Sequence, residues 1–595
     1  MIKLIKRLNI KSRVSSIAVL ITISLGNIKM NLKAFIKSII STLAFMFISK
    51  ATPINGMFLL FVIIPLYFAY KKIKSDSSVY TKLGAAVFGV FSVLHIFQVN
   101  VLDSVLGEYN QITKIAVIII IFLGTYLFTN TILSLLYRYF DSHKNKGESK
   151  INPNVLFAIS FVLLIIIYSI VWLMFYPGTI SPDTIDQIGQ IVNGVYRNHH
   201  PFAHTMWIKL LMSFGNDINT RVGIANLLQL VINALVFSLV LRTIYIKTRK
   251  LSYVLLVFAF YSLMSYHSFF SIILIKDVTH ATISCVLLLL LIYYFDAKEE
   301  RRIVYLILIG LFSIAFCLFR SNGYYAFVVL LLFSIIYTFK KRDYLLIDIF
   351  VLAFIVSTII KGPIYSSLGI SKASPVESLS VPIQQIALTV RNGRTLTEEE
   401  KGMLNKIVDL SKVGKSYDVF LSDPIKNLVN ERGNLAYLKD NTFDYFSLWL
   451  GIGLRNPVDY IQGWVNQFST YFSPHYYSTS IFYGVWDNNL GIVGHSLLIP
   501  NNIRETLLEL AYNQHNIPVL GWLHYPSITT WIMIIMFFYG LRNKDDETTL
   551  LISTLIGIFL TLMISCPYNL SFRYMYAVVC CLPLMLYGAL RKKYN

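Results

Sequence analysis

Apolar runs close to the ~20 residues of a bilayer-crossing helix recur along most of the chain, separated by short polar intervals. Fourteen can be read, near residues 31–49, 53–70, 83–101, 113–137, 154–176, 222–245, 251–270, 277–295, 303–319, 323–339, 345–361, 525–541, 548–566 and 572–590, with ends placed to about 2 to 4 residues. One interval is long: between Gly362 and His524 the hydropathy collapses. The pattern predicts an all-α polytopic membrane protein of about 14 transmembrane helices, with a mainly helical domain inserted before the last three.

The polar intervals set the orientation. If the amino terminus starts inside, the tail before residue 30, the intervals 71–82, 138–150, 242–250, 298–302, 340–342 and 542–544, and the end 591–593 share one face and hold 29 Lys+Arg. The short loops of the opposite face hold seven: Lys50, Arg197, Lys209, Arg221, Lys276, Arg320 and Arg573. The positive-inside rule makes the first face cytoplasmic, so both termini are expected inside a cell membrane and the insert outside. Lys3–Arg13 followed by the apolar Val14–Leu25 has the outline of a signal peptide, but no small-residue cleavage site follows and Asn27–Lys33 turns polar again. This end reads as an uncleaved tail, with Met30 as an alternative start. The chain then divides into a basic cytoplasmic tail (1–30), four N-terminal spans of unassigned role (31–150), a membrane core (151–362) with an acidic outer loop at 177–221, an extracytoplasmic helical domain (363–524), and three C-terminal spans with a basic tail (525–595).

Composition narrows the class. With 595 residues, 55% hydrophobic, 14% charged and a mean hydropathy of +0.61, the chain has more apolar surface than one soluble core can bury. Its net charge of +21 would suggest nucleic acid on a soluble protein; here it follows membrane sidedness, and the bilayer is the expected partner instead. Cys285, Cys317, Cys566, Cys580 and Cys581 lie in or beside apolar runs with no CxxC, which excludes a disulfide-stapled ectodomain and a cysteine zinc site. Neither GxGxxG nor GxxxxGK[ST] occurs, so no nucleotide loop is expected.

Within the insert, Thr397 with Glu400 forms a capping-box pattern, and Ser422-Asp-Pro424 and Asn456-Pro457 read as further helix starts. Aromatics crowd its second half, from Phe443 through Trp449, Trp464 and Tyr471 to Trp486, suiting a membrane interface, a sugar-stacking wall or plain packing onto the bundle.

The most informative loop follows the fifth span. Ser181 reads as an N-cap and Pro182 as the first helical residue, so Asp183, Asp186, Gln187 and Gln190, at offsets 0, 3, 4 and 7, share one helical face. His199, His200 and His204 follow, with Pro201 opening the next helix. Orienting or hydrogen-bonding roles are expected of them, with a divalent cation as the alternative and no cofactor otherwise called for. Lys276-Asp277, Arg320 with Asn322, and Arg573 interrupt apolar sequence at span ends on the same expected face, where ionisable groups are costly to desolvate. Carboxylates beside fixed cations suit deprotonation of a hydroxyl while a phosphate leaves.

This arrangement of an acidic outer loop after an early span, His199-His200-Pro201 behind it, Lys276-Asp277 at the next outer loop and a helical outer domain resembles the GT-C superfamily of membrane glycosyltransferases. The strings Tyr176-Pro-Gly-Thr-Ile-Ser-Pro-Asp183, Val381-Pro-Ile-Gln384-Gln385-Ile, Leu396-Thr-Glu-Glu-Glu400, Asn456-Pro-Val-Asp-Tyr460 and Arg573-Tyr-Met-Tyr576 resemble an uncharacterised GT-C-like multispanning family of Gram-positive bacteria, from about residue 150 to the end. The resemblance implies a polyprenyl-phosphate-linked sugar donor, a cell-envelope acceptor hydroxyl on a glycan, lipid or protein, and inverting transfer on the outer face. By motif position it implies Asp183 as general base with Asp186 as understudy, Lys276 and Arg320 as phosphate ligands, and Asp277 as the group that orients Lys276 or the acceptor. Arg573 joins them on sidedness and charge alone, and the loop lacks the Asp-x-Asp or Asp-Glu pair of metal-using members. The rival expectations are a transporter or flippase of lipid-linked sugars, which would carry ionisable residues deep in its spans and broken helices in two related halves, a polysaccharide polymerase that relies more on arginines, and a ligand-binding scaffold.

Overall fold

The structure, a computed structural model, describes residues 31–50, 61–143, 147–478 and 480–590. The tail before Asn31, the alternative start at Met30, Lys144, Lys146 and the basic end 591–593 lie outside these residues. The described chain is helical, and its β-pairing is confined to isolated bridges. Ten described helices are long and apolar enough to cross a membrane, an array consistent with a multi-pass membrane protein.

These ten coincide with ten of the fourteen apolar runs, and the other four differ in instructive ways. The run at 53–70 is described only from Phe61, as the ten-residue helix Ile63–Lys72. The run at 251–270 is two helices, Leu251–Leu263 and Ser265–Phe270, broken at Met264. Pro526–Arg542 is a continuous helix of 17 residues. The last run is a bent pair, Phe572–Cys580 and Leu582–Ala589, meeting at 41°. Hydropathy counts apolar residues but does not register where the helical hydrogen bonds are interrupted.

The chain forms two compact units, Met1–Tyr139 and Phe140–Asn595. The first packs the described N-terminal helices around Phe47, Ile96, Val101, Val105, Leu106, Val117 and Ile121.

The second unit carries the candidate chemistry, and its long helix Ile218–Thr248 explains how irregular backbone survives inside a bundle. Unpaired peptide groups are expensive away from water. On this helix Asn226, Gln229 and Asn233 are buried at spacings of three and four and so face one side. Asn226 Nδ2 donates to the Pro177 carbonyl (2.9 Å), Gln229 Nε2 to the Ile273 carbonyl (2.8 Å) and Asn233 Nδ2 to Ser271 Oγ (3.3 Å). The segment 176–181 and the segment 271–275, joined by Thr179 N donating to Ile272 O (2.8 Å), are thereby fixed to one scaffold. Gly178 has φ +133°, and a Cβ there would lie 2.2 Å from Asn226 Nδ2, so the approach needs glycine.

The insert is helical as far as Tyr471. Thr397 and Glu400 form both bonds of the capping box at the start of Glu398–Ile407, and Pro424 and Pro457 sit in the first turns of Asp423–Arg432 and Pro457–Phe468. These helices enclose their own core, which includes Ala387, Leu404, Val413, Ile425 and Ile452. The aromatics from Phe443 to Phe468 lie on the helices Thr442–Arg455 and Pro457–Phe468, as expected, whereas from Ser473 to Pro500 no helix occurs among the described residues, so the end of the insert's aromatic-rich half is irregular. Its rings divide: Phe468, Tyr471 and Phe472 are fully buried, while Phe443 and Trp486 stand exposed.

Candidate functional site

Local sequence builds the acidic helix Pro182–Asn193 as its residue types require. Ser181 Oγ accepts from Thr184 N (3.3 Å), Pro182 occupies the first turn and Gly194, at φ +70°, ends the helix. The helix starts beside the Lys276 helix, Lys276–Phe295, because Thr179 bridges Ile273 and Thr184 Oγ1 donates to the Leu274 carbonyl (3.2 Å).

Asp183 is the centre. Lys276 Nζ donates to its Oδ2 at 3.1 Å and Arg573 donates from a terminal guanidinium nitrogen to the same Oδ2 at 3.0 Å. Oδ1 has no hydrogen-bond partner among the described residues, and the side chain keeps 22% exposure. Burial pushes its pKa upward, but Lys276 and then Arg573 outweigh burial and hold the carboxyl well below the usual range.

The remaining charges pair around this centre. Asp186 is bound by Arg197, accepts from Gln190 Nε2 (2.8 Å) and lies 3.5 Å from His200 Nε2. Asp277, fully buried, meets Arg320 at 2.9 Å and Arg573 at 4.0 Å, although neither of its oxygens accepts an aligned hydrogen bond among the described residues. Arg320 also donates to the Tyr574 carbonyl (3.1 Å), and both arginines lie against the Tyr574 ring, at 5.6 and 5.3 Å from its centroid. Arg197 balances Asp186 and Arg320 balances Asp277, which leaves Asp183 facing two cations. The cluster therefore has one positive charge in excess, reinforced by the amino-terminal ends of the acidic and Lys276 helices.

His200 and His204 stay neutral. Burial, then the Lys276 ammonium, push His200 down to about 2 and His204 down to about 3. An ammonium only donates, so His200 Nδ1 accepts from Lys276 (2.9 Å) and the ring proton sits on Nε2, facing Asp186. Gln187 Nε2 donates to Thr205 Oγ1 (2.8 Å), so its Oε1 accepts from His204 Nδ1 (3.1 Å), and His204 Nε2 accepts from Thr279 (3.2 Å). His204 and Gln187 thus lock the acidic helix, the helix Phe202–Leu211 and the Lys276 helix together. The alternative of His200 and His204 converging on a divalent cation fails on this donor set, because the two rings are turned to different partners. Among the described residues no group of three His, Cys, Asp or Glu side chains stands ready to hold a metal.

Of the residues singled out in the sequence, Asp183, Asp186, His200, Lys276, Asp277, Arg320 and Arg573 form one network, and Gln187 and His204 form the layer that supports it. His199 is exposed with its ring against His200 (4.7 Å), and Asn322, half-buried in the first turn of Ser321–Lys341, joins none of these contacts. Sequence reasoning assigned no role to Tyr574, Thr205 or Thr279, nor to Asn569, which orders the segment before Arg573 by accepting from Thr470 N (3.0 Å) and donating to Ser469 Oγ (2.9 Å). The readable signal for Asn569 was a polar residue between two apolar spans.

Fold and site together define a helical protein, consistent with a multi-pass membrane protein, with a partly buried ion-pair cluster where four distant chain segments meet. The chain belongs to DUF6020, a family of unknown function, whose family model matches residues 191–595. That match begins within the acidic helix, after Asp183 and Asp186. No curated protein and no solved structure matches the chain.

Two outcomes follow from this geometry. Arg320→Met leaves the buried Asp277 without its 2.9 Å partner and with only Arg573 at 4.0 Å, and is expected to cost about 3 kcal/mol of stability, with much of it recovered when Asp277→Asn is added; thermal unfolding of the detergent-purified variants measures both. The depressed histidines give stability that is complete above their unfolded value of 6.5 and is lost as pH falls below it, because only the unfolded chain takes up protons there. Each contributes a slope of up to about 1.4 kcal/mol per pH unit. His204→Gln is expected to flatten the stability profile between pH 6.5 and about 3, and a variant with the wild-type slope would exclude this role.

Proposed function

We propose that the protein is a membrane glycosyltransferase that moves a sugar from a polyprenyl-phosphate carrier to a hydroxyl of a cell-envelope glycan, lipid or protein. The observation that carries this reading is the division of labour at Asp183: Oδ2 is held by Lys276 and Arg573, while Oδ1 has no hydrogen-bond partner among the described residues. A carboxylate with one free oxygen beside two cations, in a cluster with an excess positive charge, suits a reaction in which a hydroxyl loses its proton as a phosphate departs.

In this mechanism the acceptor oxygen attacks the anomeric carbon from the face opposite the phosphate. The new carbon–oxygen bond forms as the bond to the phosphate oxygen breaks, the electron pair leaves with the phosphate, and the acceptor proton passes to Asp183 Oδ1, with inversion. An Asp with a depressed pKa is a weak base at rest. As the leaving phosphate gains charge it draws Lys276 and Arg573 from Asp183 Oδ2, and the carboxylate becomes more basic as the proton is released. Asp277 and Arg320 hold Arg573 and its neighbour Tyr574 in place, and His200, neutral, orients Lys276. Asp186, already engaged by Arg197, Gln190 and His200, serves as a positioning group. The positive-inside charge distribution supports an extracytoplasmic side for this site and the insert.

A flippase of lipid-linked sugars is the second reading. Two discontinuous segments, Leu251–Phe270 and Phe572–Ala589, and the buried Asp277–Arg320 pair favour it, since transporters build substrate sites at helix breaks.

Transfer from radiolabelled polyprenyl-phosphate sugars into lipid, glycan and protein fractions, with wild-type and Asp183→Asn membranes side by side, separates the two. The enzyme reading expects transfer that falls by about 100-fold or more in the variant. Equal activity in both removes Asp183 from the chemistry. No transfer, together with wild-type-dependent movement of the lipid-linked sugar across the bilayer, supports the flippase.

A further inference from the structure

The helix Asn501–Asn513, which follows the irregular part of the insert, has three distinct sides. At 100° per residue, Arg504, Leu508 and Ala511 fall on one side and are the less exposed positions. Ile503, Leu507 and Leu510 form a second side and are open at 47%, 38% and 62%. Asn502, Glu505, Thr506, Glu509 and Asn513 form a third, and are exposed as well. The uncovered surface is thus split lengthwise into an apolar strip and an acidic, polar strip, the pattern of a helix lying along a boundary between lipid and water.

Its position supplies the second observation. Gln514, at the end of the helix, donates from Nε2 to the Leu263 carbonyl (2.6 Å) and accepts at Oε1 from Ser265 N (2.9 Å) and Ser265 Oγ (2.8 Å). It therefore caps the break at Met264, at the end of the apolar helix Leu251–Leu263, whose Leu255, Leu256 and Leu263 are themselves exposed. The chain then continues through exposed Val519 and Trp522 straight into Pro526–Arg542, an apolar helix of the bundle. The carboxy-terminal end of the helix, through Gln514, and the end of the turn that follows it, at Pro526, are tied to the ends of apolar bundle helices, which fixes the depth of this half of the segment, and a tryptophan at that depth suits the membrane–water boundary.

We infer that Asn501–Asn513 and the following turn through Trp522 form an interfacial anchor, with Ile503, Leu507, Leu510, Val519 and Trp522 seated among the lipid acyl chains and Glu505 and Glu509 in water. The anchor reaches the candidate site through the loop before it. Tyr512 packs on Tyr483 (5.9 Å) and Tyr483 on Phe175 (5.4 Å), while Gly484 and Trp486 pair with Ile180, three residues before Asp183. The inference rests on the apolar helices spanning a bilayer and is independent of glycosyl transfer.

The test is spin-label depth in the full chain, reconstituted in phosphatidylcholine–phosphatidylglycerol vesicles. The described native cysteines are all buried, so a nitroxide reports one added cysteine at a time: Leu507→Cys, Leu510→Cys, Glu505→Cys or Glu509→Cys. Collision with dissolved oxygen relative to a water-soluble nickel chelate is expected to be on the order of tenfold higher at 507 and 510 than at 505 and 509, because the apolar strip sits about 5–10 Å into the lipid. Nickel reaching all four positions alike would overturn the anchor. Labels at 507 and 510 immobilised and shielded from both agents would also overturn it, in favour of a second copy or a partner protein on that face.

Discussion

Everything distinctive in this molecule depends on one carboxylate oxygen, Asp183 Oδ2, shared between Lys276 and Arg573, which lie 93 and 390 residues away in the chain. Long-range ion pairs in a poorly hydrated place are unfavourable unless each partner is delivered without freedom to move. Here each is. Lys276 opens a helix whose preceding segment is pinned by Gln229 and Asn233, Asp183 opens a helix whose preceding segment is pinned by Asn226, and Arg573 follows a segment held by Asn569. The amides satisfy backbone that could not otherwise be irregular inside a bundle, and the irregular backbone brings the charges together.

The second consequence concerns the insert. Ser422 N donates to the Pro567 carbonyl, Leu421 bridges Tyr568 and Thr470 meets Asn569, so the segment that carries Arg573 is ordered largely by the insert. Gly484 and Trp486 hold Ile180 on the other side of the site. The insert is therefore part of the cluster's geometry, not a module hung beside it, joined by backbone hydrogen bonds to the segments that carry Arg573 and the acidic helix.

How much of this was legible follows from range. The Ser181–Pro182 start, the shared face of Asp183, Asp186, Gln187 and Gln190, and the Thr397–Glu400 capping box are encoded within a few residues, and the sequence displays them directly. The Asp183–Arg573 contact is not, because nothing near residue 573 specifies its partner; only sign and expected sidedness placed the two together. Spacing alone left His200 and His204 between hydrogen-bonding roles, which were expected, and a divalent cation as the alternative; the contacts to Lys276, Gln187 and Thr279, all distant in sequence or on other elements, give them the hydrogen-bonding roles. The break at Met264 and the bend near Cys581 were invisible to hydropathy, since both lie in continuous apolar sequence. The insert was expected to be mainly helical, and the stretch 473–500 departs from that because no apolar periodicity there marks where helix gives way to irregular backbone.

The claim that two cations are shared between Asp183 and a phosphate is tested most directly by the affinity of the purified protein in nanodiscs for a polyprenyl phosphate. Lys276→Met and Arg573→Met are each expected to weaken binding by about tenfold or more, because each removes a charge-assisted contact. Asp183→Ala is expected to tighten it, since the competing carboxylate is gone. Unchanged affinity in both cation variants, or weaker binding in Asp183→Ala, would contradict the account.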